Sequence, residues 1–209
     1  MRDSFCISDE TGIRRCREFC KKLGISLQSL ELDVMSNGEI TKNTRERCYY
    51  CKRAVLEKIR EYAESEGIVT ICEGTNASDD NEDRPGWRAV QELGVHSPLR
   101  SAGFSKPLIR HLSLLAGLST ATKPSNACLA TRIPHGTCIT LRELERVENA
   151  ENRIRSLGFD DFRVRIYYGA ARIQFNEKDW GRAMNLKDQI RSELIELFDT
   201  ILIDTLTRT

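Results

Sequence analysis

The chain of 209 residues has no run of about 18 consecutive apolar residues, which excludes a hydrophobic helix crossing a bilayer. Its N-terminus, MRDSFCISDE, lacks the apolar centre of a secretory signal peptide. Net charge is nearly absent: 32 Lys and Arg face 31 Asp and Glu, a balance of +1. A general nucleic-acid surface carries a basic excess, so nucleic acid is not the expected partner. A second C-x-x-C, which would complete a four-cysteine zinc site, is also missing. The expectation is a cytoplasmic protein without membrane association. In that compartment its eight cysteines read as thiols or metal ligands before disulfides. The 40% hydrophobic content is enough for a core, in one large domain or two small ones.

The stretch that organises the chain is KPSNACLATRIPHG, from Lys123 to Gly136. Turn formers flank it on both sides, and Cys128 sits at its centre with Arg132 about one turn away. A nearby guanidinium favours the thiolate form of a cysteine. A buried structural cysteine, behaving as a small hydrophobe, is the other reading of Cys128, and both stay open.

Along the rest of the chain, Ile13, Cys16, Cys20 and Leu23 recur at helical spacing before Gly24, which reads Cys16 and Cys20 as core. Ile25 to Leu32 reads as a short strand, and Asn37-Gly38 as a turn. Cys48 and Cys51 form a C-x-x-C that suits a zinc half-site, a redox pair or one face of a helix running to Gly67. Ile68 to Cys72 has the pattern of a buried parallel strand, with Cys72 in the core. Gly74, Thr75, Asn76 and Asp79 follow at its carboxyl end, where open α/β sheets bind ligands; a polar turn is the alternative. A short helix opens at Pro85, His96-Ser97-Pro98 is loop, and Ser105 caps a helix whose Leu108, Leu112, Leu115 and Leu118 form a core stripe. After Gly136 the order is helix, strand, strand, helix (roughly Lys178 to Phe198), strand, a small α+β domain. Thr140 and Glu143 make a capping box. Period two places Arg163 and Arg165 on one face, and a hairpin through Tyr168-Gly169 adds Arg172. Three such arginines repel unless an anion or carboxylates such as Glu148 and Glu151 lie among them.

Five segments, RCYYCK (47–52), EGTNASDD (73–80), RPGWRA (84–89), KPSNACLATRIPHGT (123–137) and FRVRIYYGAARI (162–173), occur in this order over most of the chain. Together they resemble the LarE-type sulfur transferases, ATP-dependent enzymes of the PP-loop superfamily that make the nickel-pincer nucleotide cofactor. The resemblance implies a PP-loop (adenine nucleotide alpha hydrolase-like) parallel-sheet domain over 1–124 and a small α+β domain over 125–209, an α/β protein. It implies that ATP with Mg2+ adenylates a carboxylate of a pyridinium biscarboxylic acid mononucleotide, and that a protein-borne sulfur then displaces AMP. One branch of the family sacrifices a cysteine. The other holds a 4Fe-4S cluster on three cysteines, and this chain has that pattern in Cys48, Cys51 and Cys128, with Cys128 in the catalytic role. Three ligands leave one iron open, as a catalytic cluster needs. By the same resemblance Gly74, Thr75, Asn76 and Asp79 line the nucleotide site, and Lys52, Arg132, Arg163 and Arg165 hold substrate phosphate or carboxylate, joined by Arg172 from the strand argument. A homo-oligomer is implied.

The chain departs from the family pattern. The S-G-G-x-D-S loop that cradles pyrophosphate is absent, as is the Arg-bearing glycine segment after the last strand. Gln174 stands where members often carry an acid. The expectation is a PP-loop domain that begins near its second strand or helix, completed by a partner chain. The competing functions are a non-catalytic cluster-binding subunit or inactive relative, and a tRNA-thiolating relative. Cys138 has no counterpart in the family pattern.

Overall fold

The protein is described here from a computed structural model, over residues 10–79, 84–122 and 127–208. Asp80 and the turn formers Lys123 to Asn126 lie outside the described residues. The architecture is mixed α/β, with nine α-helices and one three-stranded sheet among the described residues. None of these helices is long and apolar enough to cross a membrane. The described residues divide into two compact units, one of 28–79 with 84–122 and the other of 10–27 with 127–208.

In the first unit, Asn37 caps the short helix α2 (Gly38–Thr41) by accepting the Glu39 amide at 3.0 Å, so the expected turn opens a helix. Helix α3 (Arg47–Ser65) packs against α4 (Pro85–Glu92). Leu56, Val90 and Val95 form a small core there, backed by Ile59, Ile71, Trp87 and Leu93. Gly86 allows the approach: a Cβ at this position would lie 3.3 Å from the Cys48 carbonyl oxygen. Short helix α5 (Pro98–Ser101) and helix α6 (Lys106–Leu115) complete the unit, with Ser105 capping α6 as its sequence indicates.

Three expectations for this region are corrected. Ile68 to Cys72 does not form a buried strand; it makes one parallel bridge, Cys72 to His96, and Val69 is 96% exposed and Cys72 exposed. A strand is stabilised by neighbours on its edges, and among the described residues only the His96 segment pairs here. Ile25, Leu27 and Leu30 are exposed and carry no strand. The Leu108, Leu112 and Leu115 stripe is exposed, Leu115 being 71% exposed, so it builds no core among the described residues.

In the second unit, helix α1 (Glu10–Leu23) stops at Gly24 in the left-handed region. Cys16 is exposed and Cys20 half-buried, which corrects their expected place in the core. The remainder is the expected α+β succession. Helix α7 (Leu141–Ser156) starts at Thr140, whose hydroxyl accepts the Glu143 amide at 3.2 Å. Strands β1 (Phe162–Tyr167) and β2 (Ala170–Phe175) pair antiparallel across a two-residue turn in which both Tyr168 and Gly169 have positive φ, the geometry that suits the twist of a hairpin. The single last helix expected is two, α8 (Glu177–Asn185) and α9 (Lys187–Leu194), broken at Leu186. Strand β3 (Ile201–Ile203) then pairs parallel to β2. The core joins Ile154, Phe159, Phe162, Val164, Ile173, Phe175, Ile190, Leu194 and Phe198, all buried. It carries the polar face of the sheet on its other side.

Candidate functional site

In the first unit the helix start at Arg47 places Cys48 and Cys51 three residues apart, on neighbouring positions of one helix face. Cys48 is exposed and Cys51 half-buried. The buried Arg47 donates to the Cys48 sulfur at 3.7 Å. Within this unit the described residues contain no third His, Cys, Asp or Glu converging on the pair.

The bridge at Cys72 delivers Glu73 into a hydrogen-bonded hub. Its carboxylate accepts the Thr75 amide at 3.0 Å, the Thr75 hydroxyl at 2.8 Å and the Ser97 hydroxyl, and Lys52 lies at 3.6 Å. Burial pushes the Glu73 carboxyl up, but Ser97, Thr75 and Lys52 together hold it below its usual range. The loop after it closes on Asp79, which accepts the Asn76 amide at 3.1 Å and the Asn76 side chain at 2.8 Å, and pairs with Arg84 at 2.9 Å. Gly74, Thr75, Asn76 and Asp79 thus share one loop, with open space where a Gly74 Cβ would sit. Glu73 and Ser97 were not singled out from sequence. Glu73 was legible as the first letter of EGTNASDD; nothing local marked Ser97.

In the second unit Cys128 precedes a 3-10 turn, Leu129–Arg132, and is half-buried. Arg132 is 1% exposed. It donates through Nε and Nη2 to both oxygens of the equally buried Glu151, at 2.8 and 3.4 Å. The hairpin register sets Arg165 directly opposite Arg172, and Arg163 opposite Gln174. The three arginines therefore share a face. Asp204, at the end of β3, pairs with Arg172 at 2.5 Å and accepts from Gln174 Nε2 at 2.7 Å, while Gln174 Oε1 accepts from Arg165. An amide links a cation to a carboxylate here, which an acid at position 174 cannot do without its proton. Asp161 pairs with Arg208 and lies 3.9 Å from Arg163. Arg208, whose amide donates to the Phe175 carbonyl at 2.9 Å, had no sequence signal; only the bridge between Asn176 and Arg208 brings it to this face.

On this face Arg163 and Arg165 feel neighbouring arginines, which Glu151 and, for Arg163, Asp161 partly offset. Burial, with Arg132 and Arg208 nearby, brings the Arg163 guanidinium down to about 10. Arg165 is lowered by burial and by Arg132, Arg208 and Arg172. Asp204 is pushed up by burial but held below its ordinary value by the Leu206 amide, Arg172 and Gln174.

Glu73 and Asp204 both have depressed folded values, so their stabilisation is complete above their unfolded pKa and is lost as pH falls through the folded one. Thermal melts are expected to hold constant from about pH 7 to about pH 5 and to drop below about pH 4. Asp204→Asn should flatten part of that acid slope; a slope unchanged by it would remove Asp204 from the explanation.

No protein-family model matches the chain. It is 31% identical over 183 residues to the pyridinium-3,5-bisthiocarboxylic acid mononucleotide synthase of Lactiplantibacillus plantarum, a match over 88% of this chain and 66% of that protein. It is 36% identical over 152 residues to an uncharacterized protein of Synechocystis, covering 73% of this chain and 57% of the relative. A third relative, an uncharacterized protein of Methanocaldococcus jannaschii, is 33% identical over 162 residues, 78% of this chain and 63% of the relative. The chain therefore spans about three fifths to two thirds of the length of these relatives.

Proposed function

We infer that this chain, a homologue of the pyridinium-3,5-bisthiocarboxylic acid mononucleotide synthase, transfers sulfur to an activated carboxylate of a pyridinium mononucleotide. The observation that carries the reading is the hairpin register that sets Arg163, Arg165 and Arg172 on one sheet face, three planar forks suited to a phosphate or carboxylate. The similarity to the synthase over 88% of the chain supports the choice of substrate class.

In this reading a carboxylate oxygen attacks the α-phosphorus of ATP, with Mg2+, and pyrophosphate leaves. Sulfur then attacks the acyl carbon, AMP leaves with the bonding pair of the cleaved C–O bond, and a thiocarboxylate remains. Adenylation is needed because a carboxylate oxygen is a poor leaving group until it is a phosphate ester. The Gly74, Thr75, Asn76 and Asp79 loop binds the nucleotide, with Lys52 beside it. Arg163, Arg165 and Arg172 orient the substrate phosphate or carboxylate, and Arg132 adds positive field. The cysteines Cys48, Cys51 and Cys128 would hold a 4Fe-4S cluster, which supplies the sulfide when bound. A partner chain that supplies a pyrophosphate cradle, within a homo-oligomeric assembly, belongs to the same proposal.

Titration calorimetry with Mg-ATP, followed by an assay for pyrophosphate release that depends on a pyridinium carboxylate, tests the reading. Binding near micromolar, about −8 kcal/mol, supports a nucleotide pocket in this chain. Absence of both binding and release, even with candidate partner chains added, would sink it. The arginine face has its own test. Inorganic phosphate should raise the melting temperature of the wild type, and Arg165→Met should weaken its apparent affinity by roughly tenfold or more, the worth of one charge-assisted pair. Equal shifts in both proteins would mean that phosphate binds elsewhere.

A further inference from the structure

We propose that Arg132 is a positioning residue for Cys128, a clamp whose geometry is set by Glu151, and that Glu151 thereby fixes the cysteine segment to the strand carrying Arg163 and Arg165. The proposal deepens the sulfur-transfer reading by assigning how its cysteine is held.

The donors of Arg132 point two ways. Nε and Nη2 meet the Glu151 carboxylate at 2.8 and 3.4 Å. Nη1 meets the Ala127 carbonyl at 3.2 Å, the Cys128 carbonyl at 3.4 Å and the Thr131 hydroxyl oxygen at 2.9 Å. The Thr131 hydroxyl and amide in turn donate to the Cys128 carbonyl at 2.7 and 2.9 Å. Three donors thus converge on the backbone of one residue. A carbonyl held from several directions fixes the peptide plane, and with it the direction of the adjoining Cα–Cβ bond.

The other side of the clamp is equally determined. Glu151 also accepts the amide of Val164 at 3.2 Å and Arg155 Nη2 at 3.2 Å. Val164 stands between Arg163 and Arg165 on β1. One buried carboxylate therefore joins the segment with the sulfur to the strand with the anion-facing arginines. The planar fork of arginine is required, because only it can reach a carboxylate with two nitrogens and present a third to carbonyls on the opposite side. A lysine in its place keeps the charge and loses the geometry.

The test is site-resolved alkylation of the full-length protein with iodoacetamide, read by peptide mass spectrometry without ATP, iron or substrate. Cys138, exposed in the same unit, is the internal reference. Arg132→Lys preserves the charge near Cys128, so any change reports position. The ratio of Cys128 to Cys138 alkylation rates is expected to change by about fivefold or more in Arg132→Lys. Glu151→Gln, isosteric but with one acceptor oxygen fewer, should shift the ratio in the same direction. A general loss of stability, measured separately by thermal melting, does not change the ratio at temperatures well below the melting point. Should Arg132→Lys fail to fold, Thr131→Val removes one bond to the Cys128 carbonyl while leaving the buried ion pair, and a smaller shift in that ratio is expected. An unchanged ratio in the folded variants overturns the proposal. Because the readout involves no sulfur transfer, a failure of the enzymatic reading leaves this result interpretable, and the reverse also holds.

Discussion

Phe175→Ala is expected to cost the second unit about 3–5 kcal/mol, the range for deleting a fully buried aromatic ring. The Phe175 ring lies 4.8 Å from the Phe159 ring and 5.9 Å from the Phe162 ring, centre to centre, and all three side chains are buried. Phe162 is also its cross-strand partner, and the next pair in the ladder is Arg163 with Gln174. Removing the ring leaves a cavity where the hairpin meets α7, α8 and α9. Domains retain only about 5–15 kcal/mol in total, so much of the stability of this unit goes with it. The urea midpoint should fall accordingly, and phosphate-dependent stabilisation should weaken with it, since the ring supports the strand that carries Gln174. Tyr168→Ala is the control. That side chain is 94% exposed in the hairpin turn, and its loss should change stability by no more than about 0.5 kcal/mol. A loss below about 1 kcal/mol for Phe175→Ala would mean that the core does not close around this ring as described.

The two units differ in how much of them the sequence reveals, and the reason is where each segment finds its partners. The C-terminal helix and hairpin are local. Thr140, the alternation of Val164 with Arg163 and Arg165, and Gly169 each act within a few residues, so capping, period and turn are readable before any packing is known. The first unit is not local in this way. Ile68 to Cys72 has the composition of a buried strand, yet composition only states what a segment can bury, and pairing needs edges supplied from elsewhere. The leucines of α6 make the same point, with correct spacing for a stripe and no core beneath it.

At the candidate site, the sequence nominates residues and the fold supplies their hydrogen-bond and ion-pair partners. Arg165 opposite Arg172 follows from hairpin parity alone. Asp204 and Arg208 do not, because they arrive across a parallel pairing and an isolated bridge from the end of the chain. Glu151 could be seen as a balancing charge on α7, but its threefold role, holding Arg132, Arg155 and the Val164 amide while itself buried, required the packing of helix on strand.

The largest chemical effect expected is from the cysteines. Reconstituted anaerobically with ferrous iron and sulfide, the wild-type chain should bind iron and develop the broad visible absorbance of an iron–sulfur protein. Cys48→Ala, Cys51→Ala and Cys128→Ala should each abolish it, because a cluster held by three ligands tolerates the loss of none. Cys138→Ala should retain it, since Cys138 is outside the proposed set. Two features of this chain support the choice. Cys48 and Cys51 share one helix face at the start of α3, the three-residue spacing that lets two sulfurs meet one metal. Cys128 lies on a segment fixed by three donors to its carbonyl, so its position is not left to loop motion. The alternative, in which Cys128 surrenders its own sulfur, gives a different signature. Cys48→Ala and Cys51→Ala would then keep a single turnover, and intact-mass analysis would find Cys128 converted to dehydroalanine. Zinc retained in place of iron by the aerobically purified wild type, with the same dependence on Cys48 and Cys51 but none on Cys128, would instead assign the pair to a structural metal and leave Cys128 to act alone.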